Sequence, residues 1–340
     1  MRFNRMLLIA SVVFFSACAQ VKNCAPGNLQ CALTPLEEDE FDDLHSVVVM
    51  QNGDVLLEQY YNGGDQDTRV DVRSAGKSVT ALLMGIALDQ KVVKSLDDSV
   101  SEYWAESEGT AVGSVRLDDL LTMRSGLDAD ANNSESFGYE DFMDASDNPK
   151  AFALTVPNLV EPGTLYSYNS LAAYITGIVI GEAADQEFGE FARIHLFEPL
   201  KITNLDWQKD RSGITKGQGN LFITAQGFAR LGQLVLDGGT FEGRQIVSAN
   251  WIKEILKPIV DISQSDSNAI AYSYYWYQQI YNINNRQIEV WFASGNGGNK
   301  IYLVPELDMV VSVMSDAYGQ GRSHRRSENI LLTVLEQKTR

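Results

Sequence analysis

Strand-like segments stand at both ends of this chain and helical ones fill its middle, an arrangement that constrains the fold more than any single motif does. Near the N-terminal end, residues 46–50 are apolar, Asn52-Gly53 follows, and strand character resumes over 55–61. Asn-Gly accepts the positive φ angles of a tight hairpin turn, so this stretch predicts a β-hairpin. At the other end, residues 287–293, 300–304 and 309–314 predict three strands, separated by the glycines of 295–298 and by Pro305-Glu306-Leu307-Asp308. An aromatic-rich stretch, 272–281, precedes them, and a last helix is predicted over 325–337. In between, 74–88 reads as a helix because Val79, Leu82, Leu83, Ile86 and Ala87 recur at helical spacing. Residues 117–123, 171–183 and 222–236 are further helical segments, the last with Thr224 as N-cap and Asp237-Gly238-Gly239 as its stop. Strands at both termini point to one antiparallel sheet built from both chain ends. Helices would flank it, with a mainly helical insertion alongside, an α+β architecture rather than alternating β-α units.

The 340 residues suffice for a sizeable core, and a hydrophobic share of 44% with 21% charged residues argues against wholesale disorder. The net charge of -18 repels phosphate backbones and argues against nucleic-acid partners. Arg2 and Arg5 precede an apolar run over 6–15, which has the length of an export signal's hydrophobic region and is too short to span a bilayer. Ser16-Ala17-Cys18 then resembles a bacterial lipobox. That resemblance implies lipidation at Cys18 and an exported lipoprotein on the periplasmic side; Ala19, where an acidic residue would signal inner-membrane retention, leans toward the outer membrane. The expected layout is a signal peptide over 1–17, a tether over 18–43 and one folded domain over 44–340. Cys24 and Cys31 are either a disulfide or two free thiols in the tether.

Three segments carry candidate chemistry. In Ser74-Ala75-Gly76-Lys77, serine and lysine lie one helical turn apart on one face. Serine needs a base beside it to act as a nucleophile, and a desolvated lysine one turn on can take its proton. No other lysine in the chain has a serine three residues before it. In 162–170, Pro162-Gly163 turns the chain, and Tyr168 can be aimed into a cleft, where a phenol beside an ammonium serves as general base or acid. The third is Ser294-Gly295-Asn296-Gly297-Gly298-Asn299, a glycine-rich strand end whose backbone can approach a ligand and offer N–H groups to an oxyanion. Taken singly, each has a plain structural reading: an N-cap serine, a core tyrosine with a capping serine or asparagine, and a hairpin turn.

In this order the segments resemble the β-lactamase-related serine hydrolase superfamily. That group comprises class C β-lactamases, D-alanyl-D-alanine carboxypeptidases, family VIII esterases and 6-aminohexanoate-dimer hydrolases. The resemblance runs from about Leu44 to the C-terminus. It is carried by Val72-Arg73-Ser74-Ala75-Gly76-Lys77-Ser78-Val79-Thr80, Leu120-Leu121-Thr122-Met123-Arg124-Ser125-Gly126-Leu127, residues 162–170, 224–232 and 297–308. It implies Ser74 as the acyl-accepting nucleophile, Lys77 as its partner, and Tyr168 as the tyrosine of a Tyr-x-Asn motif in which Ser170 replaces the asparagine. Asn169, Ser170, Ser294, Gly295, Asn296 and Gly297 become substrate-binding or oxyanion candidates, with the Ser74 N–H as one oxyanion donor. The family's third motif usually opens on lysine or histidine. None precedes these glycines, which argues against the carboxylate-bearing substrates of β-lactamases and carboxypeptidases; Lys300 and Arg286 are the nearest cations in sequence.

A Gly-x-Ser-x-Gly elbow and a phosphate-binding loop are both absent from the sequence, and His45, His195 and His324 form no close set with a cysteine. The expected function is hydrolysis of an ester or amide of a small acyl substrate, with no cofactor and no metal, the membrane being engaged only through a lipid anchor. The alternatives are a D-alanyl-D-alanine carboxypeptidase or β-lactamase, and a non-catalytic peptide-binding lipoprotein.

Overall fold

A computed structural model describes residues 24–38 and 41–340. The signal segment and Cys18 lie outside the described residues. Within the segment expected as a tether, α1 (Leu29–Leu33) is folded, with Leu29 and Leu33 buried in the core. Cys24 and Cys31 are disulfide-bonded across it. The tether expectation is corrected here: a short chain rich in Pro and Gly carries no periodicity, yet its leucines find a tertiary surface.

The chain then forms the expected hairpin, β1 (Leu44–Gln51) and β2 (Asp54–Tyr60). A short β3 (Arg69–Asp71) leads through a 3-10 turn, Arg73–Ala75, into α2 (Gly76–Asp89). The helical insertion contributes α3 (Glu140–Ala145) and α4 (Ser170–Ala184). After it come β4 (Leu205–Trp207), β5 (Leu221–Thr224) and α5 (Ala225–Leu236). The C-terminal part adds β6 (Val260–Asp261), β7 (Ala271–Tyr272), β8 (Tyr277–Ile283), β9 (Arg286–Gly295), β10 (Asn299–Val304), β11 (Met309–Ser315) and α6 (Arg322–Lys338).

The eight-stranded antiparallel sheet has the order β2-β1-β11-β10-β9-β8-β7-β6, so the N-terminal hairpin pairs with the last strand, Val47 opposite Val313 and Val49 opposite Val311. This is the α+β fold expected from strands at both termini. β10 and β11 are buried along their whole length because both faces are covered. α5 lies on one face, close enough that a Cβ on Gly232 would stand 2.6 Å from Ile301 Cγ2. α6 lies on the other, where Glu328 accepts a 2.9 Å hydrogen bond from Tyr281. Asp43, just before β1, takes 2.6 Å hydrogen bonds from Arg322 and Arg326 of α6. Burial alone would raise the Asp43 carboxyl, but the two guanidiniums outweigh it and hold it below the usual range.

One boundary differs from expectation. Residues 222–224, read as the start of a helix, are strand: β5 pairs with β3 on one side and β4 on the other, and the helix begins only after Thr224, which caps it. Three apolar residues before a cap carry no periodicity of their own, so the pairing partners decided.

Candidate active site

β3 and β9 converge on the turn that carries Ser74. Arg73, just before it, has the left-handed backbone φ of 51°, an uncommon conformation for a residue with a side chain. The turn is held by Asp71, whose carboxylate accepts from the Arg73 N–H at 2.8 Å and from Asn220 at 3.1 Å and forms an ion pair with the Arg73 side chain at 3.2 Å. Burial raises the Asp71 carboxyl, and these partners oppose that shift. Gly219 lies against the same turn, where a Cβ would stand 3.0 Å from the Arg73 carbonyl. Gly295, at the end of β9, is tighter still: a Cβ there would stand 1.9 Å from the Val72 carbonyl oxygen. Glycine is therefore required by the approach of two backbones, and the close contact fixes the strand end beside Ser74.

α2 starts at Gly76 and is buried from there to Ala87. Lys77 is 2% exposed, and its Nζ donates to Ser74 Oγ at 3.0 Å, to Ser170 Oγ at 3.2 Å and to the Gln218 carbonyl at 2.9 Å. Ser170 in turn donates to Glu140 Oε2 at 2.7 Å. The result is a continuous file, Ser74–Lys77–Ser170–Glu140, drawn from the 3-10 turn, the start of α2, the start of α4 and the start of α3. Ser74 itself is partly exposed.

These three contacts around Nζ accommodate either protonation state. As an ammonium, Lys77 donates to all three acceptors. As an amine, it keeps two donors for Ser170 and Gln218 and turns its lone pair to the Ser74 hydroxyl. A proton can pass from Ser74 to Lys77 with no side chain moving.

Ser170, expected as a substrate contact, therefore lies inside this network. Tyr168, expected to share a proton with Lys77, lies beside it with its ring centroid 5.2 Å from Nζ, and Ser170 is the second side chain hydrogen-bonded to the lysine. Asn169, expected as a substrate contact, serves as a helix cap: its side chain accepts from Ala172 N–H at 2.7 Å and donates to the Ser167 carbonyl at 2.9 Å. The segment 162–170 is positioned by the 120–127 stretch, with Gly163 N–H on the Arg124 carbonyl and Ser167 N–H on the Met123 carbonyl, both at 2.8 Å.

The third segment divides. Gly295 touches the nucleophile turn. The Asn296 side chain accepts from Gly319 N–H at 2.8 Å and Gly297 bridges to Ala317, so these two anchor the turn after β11. Ser294 accepts a 2.7 Å hydrogen bond from Lys300 of the neighbouring strand. Glu140 and Gln218 were not found by sequence reasoning. Glu140 lies in an aperiodic stretch, and Gln218 contributes a backbone carbonyl, which no side-chain pattern announces. Among the described residues no group of three or more His, Cys, Asp or Glu is placed to hold a metal ion.

An antiparallel sheet closed by both chain ends, with a serine and lysine at the start of a buried central helix, defines the β-lactamase/transpeptidase-like fold class. The Beta-lactamase family profile matches residues 44–335, and the chain belongs to that family. It is 22% identical over 221 residues to the 6-aminohexanoate-dimer hydrolase of Paenarthrobacter ureafaciens, covering 62% of this chain and 56% of that protein, so the match spans little more than half of the relative's length. Among solved structures, a family VIII carboxylesterase superposes with a TM-score of 0.70 at 16% identity, over 91% of this chain and 98% of that one. The octameric penicillin-binding protein homologue from Pyrococcus abyssi does so with 0.69 at 19% identity, over 91% and 76%. These likenesses show a shared fold and agree with the superfamily read from the motifs.

Proposed function

We propose that this protein is a serine hydrolase that cleaves an ester or amide of a small acyl substrate through a Ser74 acyl-enzyme. The observation that carries the reading is the buried Lys77 Nζ, 3.0 Å from the Oγ of a partly exposed serine. In the first step Lys77, as the amine, takes the Ser74 proton while Oγ bonds to the acyl carbon. The backbone N–H of Ser74 and one from the end of β9 hold the oxyanion. The carbon–oxygen or carbon–nitrogen bond to the leaving group then breaks, and the leaving group departs with the proton from Lys77. In the second step water attacks the acyl carbon, gives a proton to Lys77, and releases the acid while Ser74 recovers its hydrogen.

Glu140 acts behind this exchange as a positioning residue. By accepting the Ser170 proton it obliges Ser170 to present a lone pair to Lys77. Its negative charge, two hydrogen bonds or about 6 Å away, favours the lysinium formed during attack by roughly 2–3 kcal/mol at an effective dielectric near 20. Glu140→Gln is therefore expected to lower kcat by about 10²-fold. Combining it with Ser170→Ala should cost less than the sum of the two single losses, because the hydrogen-bonded part of the effect passes through the serine while the charge acts through space. Additive losses in that cycle would assign the two residues separate roles.

The test of the whole reading pairs turnover of short-chain p-nitrophenyl esters with peptide mapping after a fluorophosphonate. The expected result is turnover with a single adduct on the peptide carrying Ser74. An adduct on another residue, or turnover that survives complete labelling of Ser74, overturns it.

A further inference from the structure

Ser74 and the end of β9 must keep a fixed separation, because one oxyanion donor comes from each. The contact of Gly295 with Val72 limits how closely they approach. A second tie comes from a residue that belongs to none of the three motif segments, Tyr318, in the turn between β11 and α6.

The Tyr318 hydroxyl donates to the Asp71 main-chain carbonyl at 2.9 Å, across 247 residues of chain. Its ring lies against the Arg73 guanidinium, whose carbon stands 4.2 Å from the ring centroid. The same ring packs on the glycine-rich turn: a Cβ on Gly297 would stand 2.8 Å from Tyr318 Cδ1. One half-buried side chain therefore meets the nucleophile turn at two points and the end of β9 at a third. Burial, helped by the Asp71 carboxylate, pushes its phenol up to about 12 against the pull of Arg73, so the hydroxyl stays a donor across the neutral range. Its own backbone is fixed on both sides. Asn296 accepts from the Gly319 N–H at 2.8 Å, and buried Asn299 accepts from the Ser315 N–H at 3.0 Å.

Arg73 is where this tie acts. Its left-handed φ of 51° is a conformation that a residue with a side chain leaves unless its surroundings hold it. Asp71 holds the guanidinium by an ion pair at 3.2 Å, and the Tyr318 ring holds its face. The planar peptide unit between Arg73 and Ser74 carries the Ser74 N–H, so any relaxation at Arg73 rotates that donor and moves the serine with it.

We infer that Tyr318 is a positioning residue for the hydrolytic reaction: by clamping Asp71 and Arg73 against the glycine-rich end of β9, it holds the Ser74 hydroxyl and N–H in register with the second oxyanion donor. This inference rests on the hydrolase reading above and adds to it a residue outside the Ser74–Lys77–Ser170–Glu140 file.

The experiment compares Tyr318→Phe, which keeps the ring and loses the hydrogen bond, with Tyr318→Leu, which loses both. Each is read by kcat and KM for p-nitrophenyl acetate, by a thermal melt, and by Ki for phenylboronic acid, whose adduct on Ser74 is tetrahedral like the transition state. In Tyr318→Phe kcat is expected to fall about 5-fold, the loss of one hydrogen bond. In Tyr318→Leu it should fall about 10²-fold, the effect of a nucleophile displaced by a fraction of an ångström to one ångström. KM should stay within about twofold of wild type, and Ki for the boronic acid should rise in step with the loss of kcat/KM. Tyr281→Leu, which removes another half-buried ring, bonded to Glu328 of α6, provides the comparison for stability alone: a lowered melt with kcat and Ki as in wild type. If Tyr318→Leu does not fold, Tyr318→Phe carries the test with the same readouts. Wild-type kcat and Ki in every Tyr318 variant that folds overturn the inference and leave the hydrolase reading intact. So does a raised KM with Ki unchanged, which would make Tyr318 a substrate contact. Wild-type protein that neither turns over the ester nor takes a fluorophosphonate adduct overturns the hydrolase reading and this inference with it.

Discussion

Ser74→Ala is expected to abolish the fluorophosphonate adduct and to lower kcat for p-nitrophenyl esters by about 10⁴-fold or more. The size follows from the site: Ser74 is the hydroxyl on Lys77 that faces solvent, whereas the second one, Ser170, is 4% exposed and donates to Glu140. No other oxygen in the network is placed to take an acyl group. Folding should be little affected. The turn is fixed by Asp71 and by the approach of Gly219 and Gly295, none of which uses the Ser74 hydroxyl. The measurement is intact mass after labelling, a stopped-flow or steady-state ester assay, and a thermal melt of the same sample. A folded Ser74→Ala protein that still labels or turns over would end the assignment.

Lys77 should show the next largest effect, and two substitutions separate its possible roles. Lys77→Met removes both the charge and the base and is expected to lower kcat by about 10³–10⁴-fold. Lys77→Arg keeps a positive charge but cannot give up a proton near neutral pH. If Lys77 serves as the base, the arginine variant should be nearly as inactive as the methionine one. Substantial activity in Lys77→Arg would reduce the lysine to an electrostatic support. Because Nζ contacts Ser74, Ser170 and the Gln218 carbonyl at once, each variant must be shown folded by its circular dichroism before the rates are compared.

Much of the architecture was legible because it is written locally. Asn52-Gly53 turns the first hairpin as expected, and the helical stripe of residues 79–87 becomes the buried helix α2. The three C-terminal strands fall within two residues of their expected ends. Antiparallel closure of the sheet followed from having strands at both termini with helices between. The serine–lysine pair was legible for the same reason. Three residues along a helix is a distance that sequence spacing measures directly, and the 3.0 Å contact realises it.

What surrounds that pair was decided by tertiary structure. Ser170 reaches Lys77 across 93 residues, the Gln218 carbonyl across 141, and Glu140 meets Ser170 only because α3 is laid against the start of α4. Lys300 stands behind Ser294 through strand register, which pairs residues on opposite sides of a glycine-rich turn. Residues 222–224 became strand because two partners were waiting on either side, and Asn169 became a cap because the first turn of α4 needed an acceptor. Sequence pattern determines which face of an element is apolar and which residues lie one turn apart. The stacking of layers determines which polar groups converge, since burial obliges each of them to find a partner wherever in the chain that partner lies.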